Sequence, residues 1–197
     1  MDGFNLGEKY EKEAILLIEE FKSKIGAKFY TSKLHGDYAQ NVVFSKKPIT
    51  IKAENTAEFT NAFTAGDNIY AMGYFDIDLS GCCSSGELYN VAVYIDTDPS
   101  YAGEADFWVS YKVNATNGKN SFAYAELFPA FAANNQDESI YFMRDFNLKL
   151  KPGKHQIKVK MLNKNADILA TGAFTLDCPA DGLSKWAQMI QPFEERL

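Results

Sequence analysis

The sequence is poor in the residues that hold metals and build disulfide frameworks. It contains only three cysteines, Cys82, Cys83 and Cys178, and two histidines, His35 and His155. No CxxC spacing occurs, so a structural zinc site is not expected. An odd number of cysteines does not build a complete disulfide framework. Because adjacent cysteines are poorly placed to bridge each other, a bridge would have to join one of them to Cys178.

Long apolar runs are also missing. No segment approaches the roughly 18 apolar residues that a membrane-spanning helix needs, so no membrane span is expected. The first residues, MDGFNLGEKYEKEA, contain no basic segment followed by an apolar core, and no signal peptide is predicted. A chain that starts natively at Met1 is expected in the cytoplasm, whereas a chain from which a leader had been removed would be exported.

Basic charge is scarce, and the familiar catalytic motifs are absent. The net charge is -6 and the isoelectric point about 5.0, which disfavours a nucleic-acid partner. The sequence contains no GxSxG, HExxH, P-loop or dinucleotide-binding motif. We therefore assign no catalytic residue from the sequence.

Aromatic residues and alternating strands are plentiful. The chain has 15 Phe and 11 Tyr among its 197 residues. From Phe146 to Cys178 apolar and polar residues alternate, with turn-forming residues at 151–154 and 163–165. A period of two is typical of a strand with one buried face. We therefore predict a meander of three antiparallel strands that needs a second layer to pack on.

Further strands follow one another between residues 41 and 178, separated mainly by turn signals, of which Asn117-Gly118 is the clearest hairpin signal. This spacing excludes alternating strands and helices and favours a mainly β fold. The prediction is an antiparallel β-sandwich of about eight or nine strands, immunoglobulin-like or jelly-roll-like. We divide the chain into a helix and connector at 1–40, a sandwich domain at 41–178 and a helical tail at 179–197.

Two amphipathic helices are predicted to flank the strands. Residues 5–25 place apolar side chains at helical spacing, and this face is expected to pack on the sandwich or on another subunit. The tail after Pro179 carries Leu183, Trp186 and Ile190 at a similar spacing. The oligomeric state is left open by these patterns.

An acidic loop follows the strand that ends near Ile95. Asp96, Asp98 and Glu104 are close in sequence, and calcium prefers six to eight oxygen ligands from such loops. The spacing Asp-x-Asp-x5-Glu after VAVYI is similar to one calcium loop of C2 domains over about a dozen residues, and this resemblance implies a possible calcium cofactor. A C2 site also takes aspartates from a separate loop, for which this sequence offers no counterpart. The alternative is an Asp-Pro turn capped by side-chain oxygens.

Two other residues are candidates for ligand binding. Arg144 interrupts an apolar stretch, so it either pairs with a buried carboxylate such as Glu126 or projects into a polar pocket. Trp108 belongs to a set of aromatic residues that either pack internally or form a flat surface for a sugar or a protein. The set consists of Trp108, Tyr94, Tyr89, Tyr70, Tyr74, Tyr124 and Tyr141.

These observations favour a non-catalytic binding module for a protein or a glycan. One alternative is a small hydrolase or lyase with a polar pocket near Arg144. A calcium-dependent C2-like binding domain is another. A structural domain of a larger assembly, joined through its terminal helices, is also compatible with the patterns. A polar pocket with perturbed carboxylates would favour an enzyme, and an exposed aromatic surface would favour binding.

Overall fold

The computed structural model describes residues 15–17, 30–51, 54, 58–97, 104–128, 144 and 146–194. Within these residues the chain is mainly β and forms two sheets. Three strands make the first sheet: β1 (Val42–Ser45), β3 (Ile69–Tyr74) and β6 (Phe122–Phe128). Five strands make the second, in the order β2 (Ala62–Thr64), β8 (Ile168–Cys178), β7 (Gly153–Leu162), β4 (Leu88–Ile95) and β5 (Phe107–Lys112).

Short helices connect or follow the strands. They include α1 (Lys33–Asp37), α2 (Leu79–Cys82) and α3 (Ala180–Glu194), and a 3-10 turn spans Asn117–Lys119. Ser32 caps α1 and Asp78 caps α2, and each side chain accepts the backbone N–H of the third helical residue, His35 and Gly81 respectively. The strand β3 ends at Tyr74, and the Asp78 cap then starts α2.

The strands β7 and β8 form the antiparallel hairpin that the alternating pattern predicted. Asn163 closes the turn between them, since its Oδ1 accepts the backbone N–H groups of Asn165 and Asp167 at 2.9 Å each. The buried faces carry Ile157 and Val159 on β7 and Phe174 and Leu176 on β8. This part of the predicted meander is confirmed.

The first strand of the predicted meander is wrong, because residues 146–149 are helical. Phe146 and Leu150 are buried, whereas Leu148 is 74% exposed. Apolar residues at i, i+2 and i+4 satisfy a strand, but the first and last also share one face of a helix. In the structure, Phe146 and Leu150, four residues apart, face the core, and Leu148 between them faces the solvent.

The predicted hairpin at Asn117-Gly118 is also wrong, because β5 pairs with β4 and β6 pairs with β3. The chain crosses here from one sheet to the other. Asn114 turns it by accepting the N–H groups of Thr116 and Asn117 at 2.8 and 3.0 Å. The strand β2 also differs from the prediction of a wholly antiparallel fold, because it runs parallel to β8.

One core joins the two sheets. Val42, Phe44 and Ala71 of the three-stranded sheet belong to the same buried cluster as Val93 and Phe174 of the five-stranded sheet. The opposite face of the three-stranded sheet is covered too, by a second buried cluster around Val43, Ile49, Met72 and Tyr74. The strand β1 is thus buried on both faces, whereas Tyr124 of β6 is 38% exposed.

The predicted C-terminal helix is confirmed as α3. Trp186, which is 1% exposed, inserts into the core and donates its indole N–H to the Asp67 carbonyl at 3.1 Å. The predicted N-terminal helix at 5–25 lies outside the described residues except for 15–17, which are helical. No helix within the described part of the chain is long and apolar enough to cross a membrane.

Candidate functional site

The outer face of the five-stranded sheet carries the candidate site. Side chains alternate across a strand, so burying Val91 and Val93 of β4 places Asn90, Ala92 and Tyr94 on the other face. The same alternation places Trp108 of β5 and Lys160 of β7 on this outer face. Strand pairing then decides which of these residues are neighbours.

A small residue at the centre of one row creates a depression. Ala92 is paired with Trp108 on one side and with Lys160 on the other. Directly paired residues lie about 5 Å apart, so two long side chains flank a single methyl group. The result is a groove of about 600 Å³. The lining includes Asn90, Ala92, Tyr94, Glu104, Trp108, Lys160, Leu162 and Ile168.

Trp108 forms one wall of the groove and is 66% exposed. Ile168, which follows the β7–β8 turn, is 57% exposed and also lines the groove. Large apolar side chains that remain exposed in one concave place are typical of a binding surface rather than of the core. The groove therefore offers apolar contacts that folding does not use.

Lys160 and Tyr94 form the opposite wall. The Lys160 ammonium lies 4.7 Å from the centroid of the Tyr94 ring, a cation–π contact. Partial burial lowers the pKa of Lys160, and the nearby charge of Lys158 lowers it further. Lys158 is paired with Tyr94 in the adjacent row. Of these two lysines, Lys160 is the one that lines the groove.

Polar groups between these walls have fixed orientations. Ser110 donates its hydroxyl to Asn90 Oδ1 at 2.7 Å across the β4–β5 pair. This bond orients the amide of Asn90, whose nitrogen carries two N–H donors. Glu104 supplies a carboxylate to the same lining. The groove can therefore donate and accept hydrogen bonds beside an aromatic surface.

In the acidic loop predicted to bind calcium, Asp96 and Glu104 have different surroundings in the structure. Asp96 accepts His155 Nδ1 at 2.6 Å and the Gln156 N–H at 2.8 Å, whereas Glu104 lines the groove. Asp98 lies outside the described residues. No cluster of three or more His, Cys, Asp or Glu side chains suited to a metal occurs among the described residues.

His155 bridges two acceptors. Its Nδ1 contacts Asp96 Oδ2, and its Nε2 lies 2.8 Å from the Lys151 carbonyl oxygen. Burial by itself would lower the pKa of His155, but the Lys151 carbonyl and the Asp96 carboxylate outweigh it and raise this pKa. When His155 is protonated, both ring nitrogens donate, and the imidazolium links the start of β7 to the end of β4.

Arg144 is half-buried and helical, not on the strand face from which the polar pocket was inferred. It is not among the residues that line the groove. The Glu126 side chain, suggested as its partner, lies outside the described part of the structure. Arg144 and Trp108 are therefore not brought together in one described cavity.

The other aromatic candidates are distributed over several surfaces. Tyr89 is buried in the main core and Tyr74 in the second cluster, where its hydroxyl donates to Glu54 Oε2 at 3.1 Å. Tyr70 and Tyr124 line a separate cavity of about 260 Å³ on the three-stranded sheet. Tyr141 lies outside the described residues. Trp108 and Tyr94 are the members that share the groove.

The three cysteines are free thiols. The Cys82 and Cys83 sulfurs lie 3.1 Å apart, and burial followed by this contact raises the pKa of Cys82 to about 12. Burial likewise raises the pKa of Cys178 to about 11. Thiols with such pKa values are poor nucleophiles at neutral pH.

Sequence reasoning identified Trp108 and Glu104 but missed Ala92, Lys160 and Ile168. The alternation in IKVKM already places both lysines on the outer face of β7. What the sequence does not contain is the order of strands, which makes Ala92 the neighbour of both Trp108 and Lys160. No protein-family model matches the chain, and no curated protein matches it significantly.

Proposed function

We propose that this chain is a non-catalytic binding module that holds a glycan in the groove of the five-stranded sheet. Trp108 carries the proposal, because its indole lines the groove while 66% of the residue remains exposed. Sugar rings present C–H groups on their faces, which stack on an aromatic surface, and hydroxyl groups at their edges. A rigid strand holds the indole ready for such stacking.

The polar lining supports a glycan over a protein partner. Asn90 and Lys160 supply donors, and Glu104 supplies an acceptor, at the rim of a concave aromatic site. Few, well-oriented polar groups around an apolar wall are typical of small-molecule sites. Protein interfaces of standard size are larger and flatter, burying about 800 Å² on each partner.

The fold is compatible with this role. We infer that the two sheets, which share one core, are stacked as a β-sandwich of the jelly-roll-like kind. The crossings from β3 to β4 and from β5 to β6 support this arrangement, since consecutive strands enter different sheets. Jelly rolls include lectin domains, an analogy at the level of the fold.

Tryptophan fluorescence tests the proposal directly. The chain has two tryptophans, and a Trp186→Phe variant keeps Trp108 as the single indole. We expect saturable changes in its emission when xylohexaose, cellohexaose or hexagalacturonate occupies the groove. Calorimetry on the otherwise native protein should show binding that Trp108→Ala weakens by about 30-fold, corresponding to about 2 kcal/mol.

A matched control is Leu148→Ala, which removes another exposed apolar side chain away from the groove lining. It should leave the affinity unchanged. Binding that survives Trp108→Ala, or that Leu148→Ala weakens equally, would contradict the proposed site. If no hexasaccharide in the panel binds but a purified protein partner binds through Trp108, the groove is a protein-docking surface and the glycan proposal is wrong.

A further inference from the structure

One end of the groove combines a hydrogen-bond donor with apolar side chains. Asn90 lies opposite Leu162 across the β4–β7 pair, and Leu162 lies opposite Ile168 across the β7–β8 pair. All three residues line the groove, and Ile168 is 57% exposed. Directly paired side chains lie about 5 Å apart, so these three form one continuous row across the sheet. A ligand at this end of the groove therefore contacts both an amide and an apolar wall.

The amide of Asn90 is oriented so that it can donate hydrogen bonds into the groove. Ser110 donates its hydroxyl to Asn90 Oδ1 at 2.7 Å, so the oxygen of this amide already has a partner. The amide nitrogen has no hydrogen-bond partner among the residues that the structure describes. It carries two N–H donors. A neutral acceptor on a ligand would satisfy one of them.

The position of Asn90 relative to Trp108 indicates how long a group must be to reach it. Trp108 is paired with Ala92 and Asn90 with Ser110, so Trp108 and Asn90 are diagonal neighbours on two paired strands. Diagonal neighbours lie about 7–8 Å apart. Leu162 lies one strand further from Trp108. A pyranose ring stacked on the indole would therefore need a substituent longer than a hydroxyl group to contact both Asn90 and Leu162.

We propose that the glycan bound in this groove carries acetamido groups, as in a polymer of N-acetylated hexosamine. The acetamido carbonyl accepts an N–H of Asn90, and the acetamido methyl group packs on Leu162 and Ile168. Glu104, the carboxylate of the same lining, is an acceptor for the acetamido N–H. A sugar hydroxyl would supply an acceptor for Asn90 but no apolar end for the wall beside it. This inference rests on the proposed function and names the class of sugar.

Chitohexaose and cellohexaose test the inference, because they share one backbone and differ in carrying an acetamido or a hydroxyl group on each ring. Chitohexaose should bind about tenfold more tightly in calorimetry, since the acetamido group adds a hydrogen bond and a buried methyl group. Asn90→Leu removes both N–H donors and keeps a side chain of similar size. We expect it to weaken chitohexaose binding about fivefold and to change cellohexaose binding less than about twofold.

Gln156→Leu is the matched control, because it removes an exposed amide from β7, and Gln156 does not line the groove. It should leave both affinities unchanged. Ile168→Ala tests the apolar wall independently and should weaken chitohexaose binding about threefold. An acetylated Gly-Ser peptide serves as a probe that has amide groups but no sugar rings. If it binds as tightly as chitohexaose, or if Gln156→Leu matches Asn90→Leu, the inference is overturned.

The outcomes separate this inference from the proposed function. If chitohexaose and cellohexaose bind equally, and both require Trp108, the groove binds glycans but does not select acetamido groups. If chitohexaose binds more tightly, Trp108→Ala weakens it and Asn90→Leu removes the preference, both proposals are supported. A preference for chitohexaose that Asn90→Leu leaves intact contradicts the inference alone. If neither these two sugars nor the other hexasaccharides bind, both proposals are wrong.

Discussion

His155 and Asp96 form a bond that ties two strand ends together, with Nδ1 of the imidazole 2.6 Å from Oδ2 of the carboxylate. Asp96 has a backbone φ of 52°, a conformation that residues other than glycine adopt rarely. Its other oxygen accepts the Gln156 N–H at 2.8 Å. The carboxylate therefore holds the end of β4 against the start of β7.

This bond predicts a pH-dependent contribution to stability. Folding raises the pKa of His155 above 6.5. The contribution of the His155 imidazolium to the free energy of unfolding is therefore complete below pH 6.5 and is lost as the pH rises through the folded-state pKa. Burial by itself would raise the pKa of Asp96, but His155 and the Gln156 N–H lower it below 3.8. Its contribution is therefore complete above pH 3.8 and is lost on further acidification.

A double-mutant cycle of His155→Gln and Asp96→Asn, measured by urea unfolding, checks this expectation. The coupling energy should be about 1 kcal/mol or less between pH 4 and 6.5 and should decline above that range. Burial lowers the pKa of His35, which gives the opposite trend, but this effect cancels in the cycle. A coupling energy that is constant from pH 5 to pH 9 would contradict the charged pair.

The two tryptophans should differ sharply in their effect on stability. Trp186→Ala removes a side chain that is 1% exposed and should cost about 3–5 kcal/mol. Trp108→Ala removes an exposed one and should change the free energy of unfolding by about 0.5 kcal/mol or less. Urea unfolding followed by circular dichroism measures both. A large loss of stability in Trp108→Ala would show instead that the Trp108 indole packs in the core and stabilises the fold.

Filling the floor of the groove should block binding without changing its charges. In Ala92→Leu the new side chain would project between Trp108 and Lys160, the two residues paired with position 92. We expect the loss of hexasaccharide binding measured by calorimetry, with the circular dichroism spectrum preserved. Ala173→Leu, on the outer face opposite Lys158 but outside the groove lining, is the control and should bind normally.

Close packing between the sheets depends on Gly172. A Cβ at this position would lie 2.2 Å from the Val42 carbonyl oxygen, which is backbone and cannot rotate away. Gly172→Ala should therefore cost about 3 kcal/mol or more, measured by urea unfolding. Gly118→Ala is the comparison, because its new Cβ would make an ordinary contact of 3.5 Å with Val113. Equal stability of the two variants would refute the close approach.

Thiol counting checks the redox state of the cysteines. All three should react with Ellman's reagent in denaturant without reductant, because they are free thiols. In the folded protein Cys83 and Cys178 should be protected, since both are buried, and Cys82 should react slowly because burial raises its pKa to about 12. Only one reactive thiol in denaturant would indicate a bridge instead.

The sequence predicted much of the local structure, because local structure depends mainly on residues that are close together in the chain. Alternation identified β4, β7 and β8, and the helical spacing of Trp186 and Ile190 identified α3. The same reasoning failed at 146–149, where one pattern satisfies both a strand and a helix. It also failed at Asn117-Gly118, where local turn chemistry is satisfied whether the flanking strands pair with each other or enter different sheets.

By itself, then, the sequence determined that the chain is mainly β, that its net charge is acidic, and that Trp108 and Glu104 were worth considering as functional residues. Only the tertiary structure decided where these side chains lie. Pairing β4 between β5 and β7 places Trp108 and Lys160 on either side of Ala92, although they are 52 residues apart in sequence. Such contacts depend on which strands meet, and this is set by burial of the whole core rather than by any local pattern.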